Sequence, residues 1–471
     1  MSAAIPPNDS VDPVEYTPEQ MSEQLACFET ILNDRLPYCS GTLSTTKEQL
    51  VLFYGKDFDA KRIDFSDASD EQLEHLAKTC EPAAFGVRTR RVLDELYRKA
   101  GKLDAEHFSS LFDVMESGLV QVIREQLLTG EKVNSAIRLE RYKLNVYGKD
   151  SFFKAHKDTP RSKDMFGSLV IVFPTSHEGG TLILRDGEKE WRFDSAKAIK
   201  EHDGSCIAYV AFYSDVEHEV TQVNSGYRVT VTYNLYFDAA VPSIPSVALT
   251  EDPTHDKLKD ILGTLLEDKN FLPDGGYLGF GLRREYPLQS TRDVVDLSEF
   301  ASYLKGGDAI LMSVCEELSL SASLQVYFKT QDSSRDDLDV LCHYVPALAR
   351  GNSVDDDSLV QHLCEYYGGL RVKTKTDDHT QYYTLPDLYI HWATPMTEFG
   401  NVQREYPAYG NEPSIEFAYG CVCLIVAVGP YGERSAVEKI WPLNKKKPVK
   451  KAAAPKKTAK RGKGSKSSRA R

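Results

Sequence analysis

The sequence predicts an α+β protein built around a β-sandwich or barrel, and three observations predict it. From Gln24 to Leu128 apolar residues recur at helical spacing. At Ala136 the period falls from 3.6 to 2, and short strands then follow one another to about Phe237. Between them lie Gly-bearing turns at Glu178-Gly179-Gly180, Asp186-Gly187, Asp203-Gly204 and Ser225-Gly226, with no helix predicted in between. Many consecutive short strands close most readily as a sandwich or barrel.

Taken in order, 471 residues suggest two or three domains at roughly 100–200 residues each. Residues 1–23 are Pro-rich and polar and read as a flexible lead-in. Residues 24–130 read as a helical support region, carried by Val92-Leu93, Leu96-Tyr97, Leu111-Phe112, Val114-Met115, Leu119-Val120 and Ile123, with a helix entry at Lys102 to Glu106. Residues 131–240 hold the strands, and Pro242 to Pro253 forms a linker. A mixed domain is expected over 254–443, with helices at Leu258 to Glu267 and Asp336 to Tyr344 and strands at Leu388 to Trp392 and Tyr419 to Val428. No repeat of fixed period is present.

Composition narrows the function classes. With 41% hydrophobic and 27% charged residues the chain is neither fibrous nor wholly disordered. Its longest apolar run, Cys421 to Val428, is far below the ~20 residues of a membrane span. The first residues show neither a basic nor an apolar targeting region, so an intracellular setting is expected. Nine cysteines without a CxxC pair signal neither a zinc ribbon nor a disulfide scaffold, and reduced thiols follow.

Charge is unevenly placed. Lys445 to Arg471 contains 13 bases and no acid, leaving 44 bases against 70 acids in the body. The basic tail over 444–471 cannot bury apolar area and is expected to be unstructured. Its clusters Lys445-Lys446-Lys447 and Lys460-Arg461-Gly462-Lys463 fit a nuclear-import signal, a nucleic-acid arm or a solubilising tail. Import is the favoured reading, which places the protein in the nucleus rather than the cytoplasm. The acidic body limits any nucleic-acid contact to this tail.

One stretch carries chemistry. His156 and Asp158 stand at i and i+2 of an extended segment, so both side chains point one way and can hold one metal ion. His218 lies 62 residues on, beside a strand of its own. Two imidazoles and one carboxylate leave three metal positions open, which suits non-haem Fe(II), whereas structural zinc wants four closed ligands. His-x-Asp alone is weak; its company strengthens it. In Arg228-Val-Thr-Val-Thr, Arg228, Thr230 and Thr232 share one face, and a guanidinium beside a hydroxyl can hold a carboxylate end with two parallel hydrogen bonds. A surface cation on an edge strand would explain neither Thr230 nor the closeness to His218.

These residues, from about Ala136 to Phe237, closely resemble the Fe(II)- and 2-oxoglutarate-dependent dioxygenases, in particular their prolyl-4-hydroxylase-like branch. The resemblance implies a double-stranded β-helix, or jelly roll, in which His156, Asp158 and His218 bind iron. It implies that Arg228, Thr230 and Tyr147 hold 2-oxoglutarate, and that Gly179 to Leu182 forms a tight corner. The collagen prolyl hydroxylases have Lys where this chain has Arg228, so kinship with that subgroup is not close. Implied cofactors are Fe(II), 2-oxoglutarate and O2, with ascorbate as an accessory. The implied reaction is hydroxylation of a C–H bond with release of succinate and carbon dioxide. A protein side chain such as proline is the expected substrate; a small molecule, or a non-catalytic binding role through the C-terminal domain and tail, are the alternatives.

Other residues read as structural. His177 is expected to be a solvated loop histidine, and His202 and Asp203, on opposite faces, are poor joint ligands. Asp215 and Glu217 could orient His218 or form an exposed acidic turn. Cys421 and Cys423 read as packed thiols, and the aromatics of Phe399 to Tyr419 as domain packing rather than a substrate groove.

Overall fold

The alternating strand residues predicted from Ala136 onward pair into two antiparallel sheets in the computed structural model. It describes residues 14–56, 59–87, 90–238, 252–288, 294–329, 339–346, 359–372, 389–409 and 413–436. The larger sheet runs in the order Tyr38–Ser44, Cys206–Tyr213, Met165–Val172, Arg228–Phe237, Ile137–Tyr147, Gly101–Asp104 and Glu81–Pro82. The smaller runs Lys189–Phe193, Leu182–Asp186, Glu217–Val220, Phe152–His156 and Arg98–Lys99. Leu144, Val146, Leu169 and Val229 of the first sheet share one apolar core with Phe153, Leu182, Leu184 and Val220 of the second. The strands bury Val, Ile, Leu and Phe against the facing sheet, the burial that β-branched and aromatic residues on a pleated surface favour.

Several expectations change. The region 24–130 is not mainly helical. It contains the helices Pro18–Leu25 (which begins before it), Cys27–Leu32, Asp70–Thr79 and Leu119–Leu127, but also the strands Tyr38–Ser44, Val51–Tyr54, Lys61–Asp64 and Gly101–Asp104. Lys102 to Glu106 is strand running into a short 3-10 turn, because Lys102 and Leu103 pair with Asn145 and Leu144. Leu93 and Leu96, read as part of a helical period, lie in an irregular segment and the turn that follows it and are 59% and 78% exposed, so their spacing reflects no buried face. A helix, Ser195–Glu201, does interrupt the strands, capped by Asp194. Residues 339–342, expected helical, form the strand Asp339–Cys342, whose four residues are all buried. The helix at 258–267 is present as Pro253–Glu267, and the strands at 388–392 and 419–428 as Ile390–Trp392 and Pro413–Val428. The lead-in up to residue 13, most of the linker and the basic tail lie outside the described residues.

The second core is built from residues far apart in sequence. Its sheet runs Leu370–Val372, Asp339–Cys342, Ser321–Phe328, Pro413–Val428, Gly276–Gly281 and Ile390–Trp392, with Asn401–Tyr409 also pairing Pro413–Val428. Met21, Leu25, Phe28 and Ile31 of the first two helices belong to this core, together with Leu258, Leu262 and Phe280. Phe28 meets Phe280 edge-on at 5.7 Å. The N-terminal helices therefore support the C-terminal sheet, and the large sheet instead recruits Tyr38–Ser44 and Gly101–Asp104 from the region expected to be a helical layer. Cys423 is buried and Cys421 half-buried, and no disulfide forms among the described cysteines.

Candidate metal centre and cosubstrate pocket

A cavity of about 1010 Å³ lies between the two sheets of the first core. The smaller sheet brings His156 and His218 opposite each other as register partners. Asp158 follows in the loop, and one ligand atom from each of the three comes within 4.8 Å of the others. His218 Nε2 is 3.8 Å from Asp158 Oδ1, and the two imidazole centroids are 4.1 Å apart.

Each ring is held from behind. His156 Nδ1–H donates to the Lys154 carbonyl at 2.8 Å and His218 Nδ1–H to the Val216 carbonyl at 3.0 Å. Both Nε2 atoms are thereby left as acceptors facing the shared space. Phe153 stacks on His156 with centroids 3.6 Å apart, and Phe212 lies 4.6 Å from His218. Burial first, then the neighbouring His218 ring, hold His156 far below the ordinary histidine range, at about 3. A neutral imidazole with a free lone pair is the form a metal takes. The donor set, two neutral nitrogens and one carboxylate with no cysteine, fits Fe(II) with open positions.

Residues that sequence reasoning missed complete this geometry. Ser168 Oγ–H donates to Asp158 Oδ2 at 2.5 Å and so orients the carboxylate. Inward alternation of Ser168 and Val170 on their strand was the available signal, although the partner of Ser168 lies in a loop ten residues away. Arg98 donates to Asn145 Oδ1 at 2.8 Å, and Asn145 in turn donates to Thr232 Oγ1 at 3.2 Å.

Arg228 is 2% exposed and opens the strand Arg228–Phe237, directly across from Tyr147. Its Cζ lies 5.6 Å from the Tyr147 ring centroid. Its Nε finds no hydrogen-bond partner, and no carboxylate among the described residues pairs with it. Burial pushes its pKa down from the ordinary arginine value, yet a guanidinium stays charged, and a buried unpaired cation is a strong anion site. Thr230, 2% exposed, lines the same cavity two residues on. Gly180 makes room here: it sits at φ +69°, and a Cβ there would come within 2.9 Å of Arg228 Cδ.

His177, read as solvent-facing, is not, and Asp215, open in the sequence between orienting His218 and forming an exposed turn, does neither. His177 lies in the strand His177–Gly179, is 8% exposed, and donates from Nδ1 to the Thr175 carbonyl at 2.8 Å. Pairing of that strand with Val223–Gly226 encloses it. Asp215 is not an exposed acid either. Its Oδ1 accepts from Lys305 Nζ at 2.7 Å, and its Oδ2 from Arg284 at 3.4 Å and from the Glu285 backbone N–H at 3.2 Å. Arg284 also bonds Asp186. Burial alone would raise Asp215, but Lys305 and then Arg284 bring it to about 2. His202 pairs with Ser44 and stays away from the cavity.

Residues 142–236 match the family described as the 2OG-Fe(II) oxygenase superfamily. These residues thus form a 2OG-Fe(II) oxygenase domain, of the 2-oxoglutarate-dependent dioxygenase class, whose cofactors are Fe(II), 2-oxoglutarate and O2. No curated protein is significantly similar to the chain. Among solved structures it is similar to a Pseudomonas putida prolyl-4-hydroxylase at 16% identity, covering 46% of this chain and 100% of that one, TM-score 0.24. A Trichoplax adhaerens prolyl hydroxylase in complex with a hypoxia inducible factor oxygen degradation domain peptide fragment matches at 15% identity, over 48% and 95% of the two chains, TM-score 0.27. A viral collagen prolyl hydroxylase from Paramecium Bursaria Chlorella virus-1 matches at 11%, over 44% and 98%, TM-score 0.24. These likenesses are low, and the family match over 142–236 is what defines the class.

Proposed function

We propose that this protein hydroxylates an unactivated C–H bond of a protein side chain, such as proline, with release of succinate and carbon dioxide. We read the two sheets of the first core as a double-stranded β-helix, with His156, Asp158 and His218 as iron ligands and Arg228, Thr230 and Tyr147 as the cosubstrate's seat. The observation that carries this reading is the pairing of two sites in one cavity. Three metal-type ligand atoms lie within 4.8 Å of one another, and a buried, unpaired guanidinium faces the same space.

Bound iron and 2-oxoglutarate would supply oxygen activation and C–H oxidation. The chain's residues do the rest. His156 and His218 present Nε2 because their Nδ1–H groups are tied to backbone carbonyls, and Ser168 fixes which Asp158 oxygen is free. Arg228, with the Thr230 hydroxyl nearby, holds the cosubstrate's far carboxylate and sets how deep it sits. Phe153, Phe212, Leu182 and Val220 line the cavity and exclude water from the reacting atoms.

The expected core at 131–240 is widened by Tyr38–Ser44 and Gly101–Asp104, which pair into its larger sheet; the layout otherwise proposed is a C-terminal domain at 254–443, joined by the first two helices, and the tail at 444–471 as an import signal. Deleting Lys445 to Arg471 should move a tagged protein out of the nucleus; an unaltered distribution would leave only the solubilising role. The test of activity is anaerobic titration of apo-protein with Fe(II), then 2-oxoglutarate, followed by exposure to oxygen. A visible charge-transfer band that needs both additions, and succinate after oxygen, are expected. Absence of both would leave a barrel without turnover.

A further inference from the structure

The cavity is lined by six basic side chains, Arg98, Lys102, Lys143, Lys157, Arg161 and Arg228, against one acid, Asp158. This is a strong local excess in a chain whose body carries 70 acids and 44 bases. Most of the six have evident partners. Lys102 is paired with Glu81 and Asp104, Lys157 with Glu285, and Arg98 with Asn145 and the Ala84 carbonyl. Arg228 is reserved for the cosubstrate in the reading above.

Lys143 and Arg161 remain. Neither pairs with a carboxylate among the described residues. Lys143 is only 8% exposed, and both it and Arg161 hydrogen-bond the Tyr142 side chain, which satisfies a donor on each but supplies no full counter-charge. Both cations rest on one ring. Lys143 Nζ is 4.3 Å and Arg161 Cζ 4.2 Å from the Tyr142 centroid. The Tyr142 ring thus holds two positive groups side by side at the cavity wall.

Position decides what they serve. Tyr147 lies across from Arg228, and Lys143 across from Thr232, four residues along the same strand. That sets the two backbone positions about 13 Å apart at ~3.3 Å per residue. A five-carbon diacid spans only about 5 Å between its end carbons at ~1.5 Å per C–C bond, less than half that backbone spacing. The Lys143 end is also the Asp158 end: Asp158 is held by Ser168, which pairs with Asn234, two residues beyond Thr232.

We propose that Lys143 and Arg161 bind a carboxylate of the primary substrate, and that this substrate is an acidic peptide with Asp or Glu within a residue or two of the oxidised side chain. The proposal rests on the dioxygenase reading above. The planar Arg161 fork can take both carboxylate oxygens, and Lys143 adds a point charge from below. A polyphosphate is disfavoured because the acidic body surrounding this one basic cavity repels a long polyanion.

The test is a binding measurement, so it does not depend on turnover. Full-length protein is titrated into fluorescein-labelled Pro-centred nonapeptides carrying Asp or Glu, Asn or Gln, or Lys at the flanking positions. Acidic peptides are expected to bind about ten- to a hundredfold more tightly than the amide series. Lys143→Gln and Arg161→Gln should each remove most of that preference without altering amide-series binding. Arg161 is exposed, so its variant does not endanger the fold, and Arg161→Glu should turn the preference toward Lys peptides. Equal binding of acidic and amide peptides, a preference that survives both variants, no peptide binding at all, or better competition by oligo(dT) than by acidic peptide would each overturn the proposal. The dioxygenase reading fails separately, by absence of succinate from the same protein preparation with Fe(II), 2-oxoglutarate and oxygen.

Discussion

In the large sheet of the first core, the buried polar side chains Arg228, Lys143 and Thr230 look into a cavity, and the two cations lack counter-charges. In the C-terminal region the buried acids Asp308 and Asp339 are closed on neighbouring donors. Asp308 accepts from the backbone N–H groups of Arg283 and Arg284 at 2.9 and 3.1 Å and from the Tyr286 hydroxyl at 2.8 Å, and Asp339 accepts from Tyr327. Both regions desolvate charge; the acids of the second are answered within the fold, with Arg283 its exception, since only a 3.5 Å contact to Glu29 meets a guanidinium whose Nε and Nη2 have no partner. A buried charge that its own fold satisfies is part of the architecture, and one that the fold leaves open marks where a ligand supplies the missing half.

The comparison can be broken most severely at the open site. His156→Ala or Asp158→Ala should reduce iron-dependent succinate formation below detection while far-UV circular dichroism stays native; retained activity would remove either residue from the metal centre. At the closed site the corresponding loss is stability. Asp215→Ala strands the buried Lys305, while Arg284 keeps Asp186, and should cost about 3–5 kcal/mol in a urea titration. A cost under about 1 kcal/mol would show that the interdomain cluster is not satisfied as described.

Arg228→Gln sharpens the contrast, because it removes a cation that supports no neighbour. It should raise the 2-oxoglutarate KM roughly a hundredfold, about 3 kcal/mol, with little change in thermal stability. An unchanged KM would refute its assigned role. The smallest effect is a pH dependence. Burial, only partly opposed by the Arg283 N–H and Tyr286, raises Asp308 to about 6, whereas an unfolded Asp titrates near 3.9. Its contribution is therefore fully present below about pH 4 and lost as pH rises through about 6, worth on the order of 2–3 kcal/mol. Asp215 runs the other way, contributing above about pH 4 and losing that contribution as pH falls through about 2. Asp308→Asn should flatten the melting-temperature profile between pH 4 and 6, and a profile identical to wild type would count against the assignment.

Strand periodicity put His156 with Asp158 and Arg228 with Thr230 on shared faces over a few residues, whereas His218, 62 residues on, was reached through the family resemblance. It could not reach Ser168 or Asp215. Their partners stand in a loop ten residues earlier and in another domain 69 and 90 residues on, and only strand pairing or domain docking brings them near. Short apolar runs misled for a different reason. Leu103 and Leu341 sit in four-residue strands, a length at which helical and strand periods are hard to tell apart. Secondary structure was most legible where an amphipathic helix was long, as in Pro253–Glu267, and least where strands pair with the edges of a distant sheet.

The docking of Met21, Leu25 and Phe28 against Leu258, Leu262 and Phe280 has a consequence for biosynthesis. A ribosome adds about 5–20 residues per second, so more than ten seconds separate the appearance of the first helices from that of the surface that covers them. During that interval their apolar stripe has no native partner on the nascent chain, while the oxygenase sheets, whose core spans Cys39 to Phe237, can already close. The order of emergence thus favours an oxygenase core that folds ahead of its flanks and an N-terminal segment that depends on chaperones until the last sheet is complete.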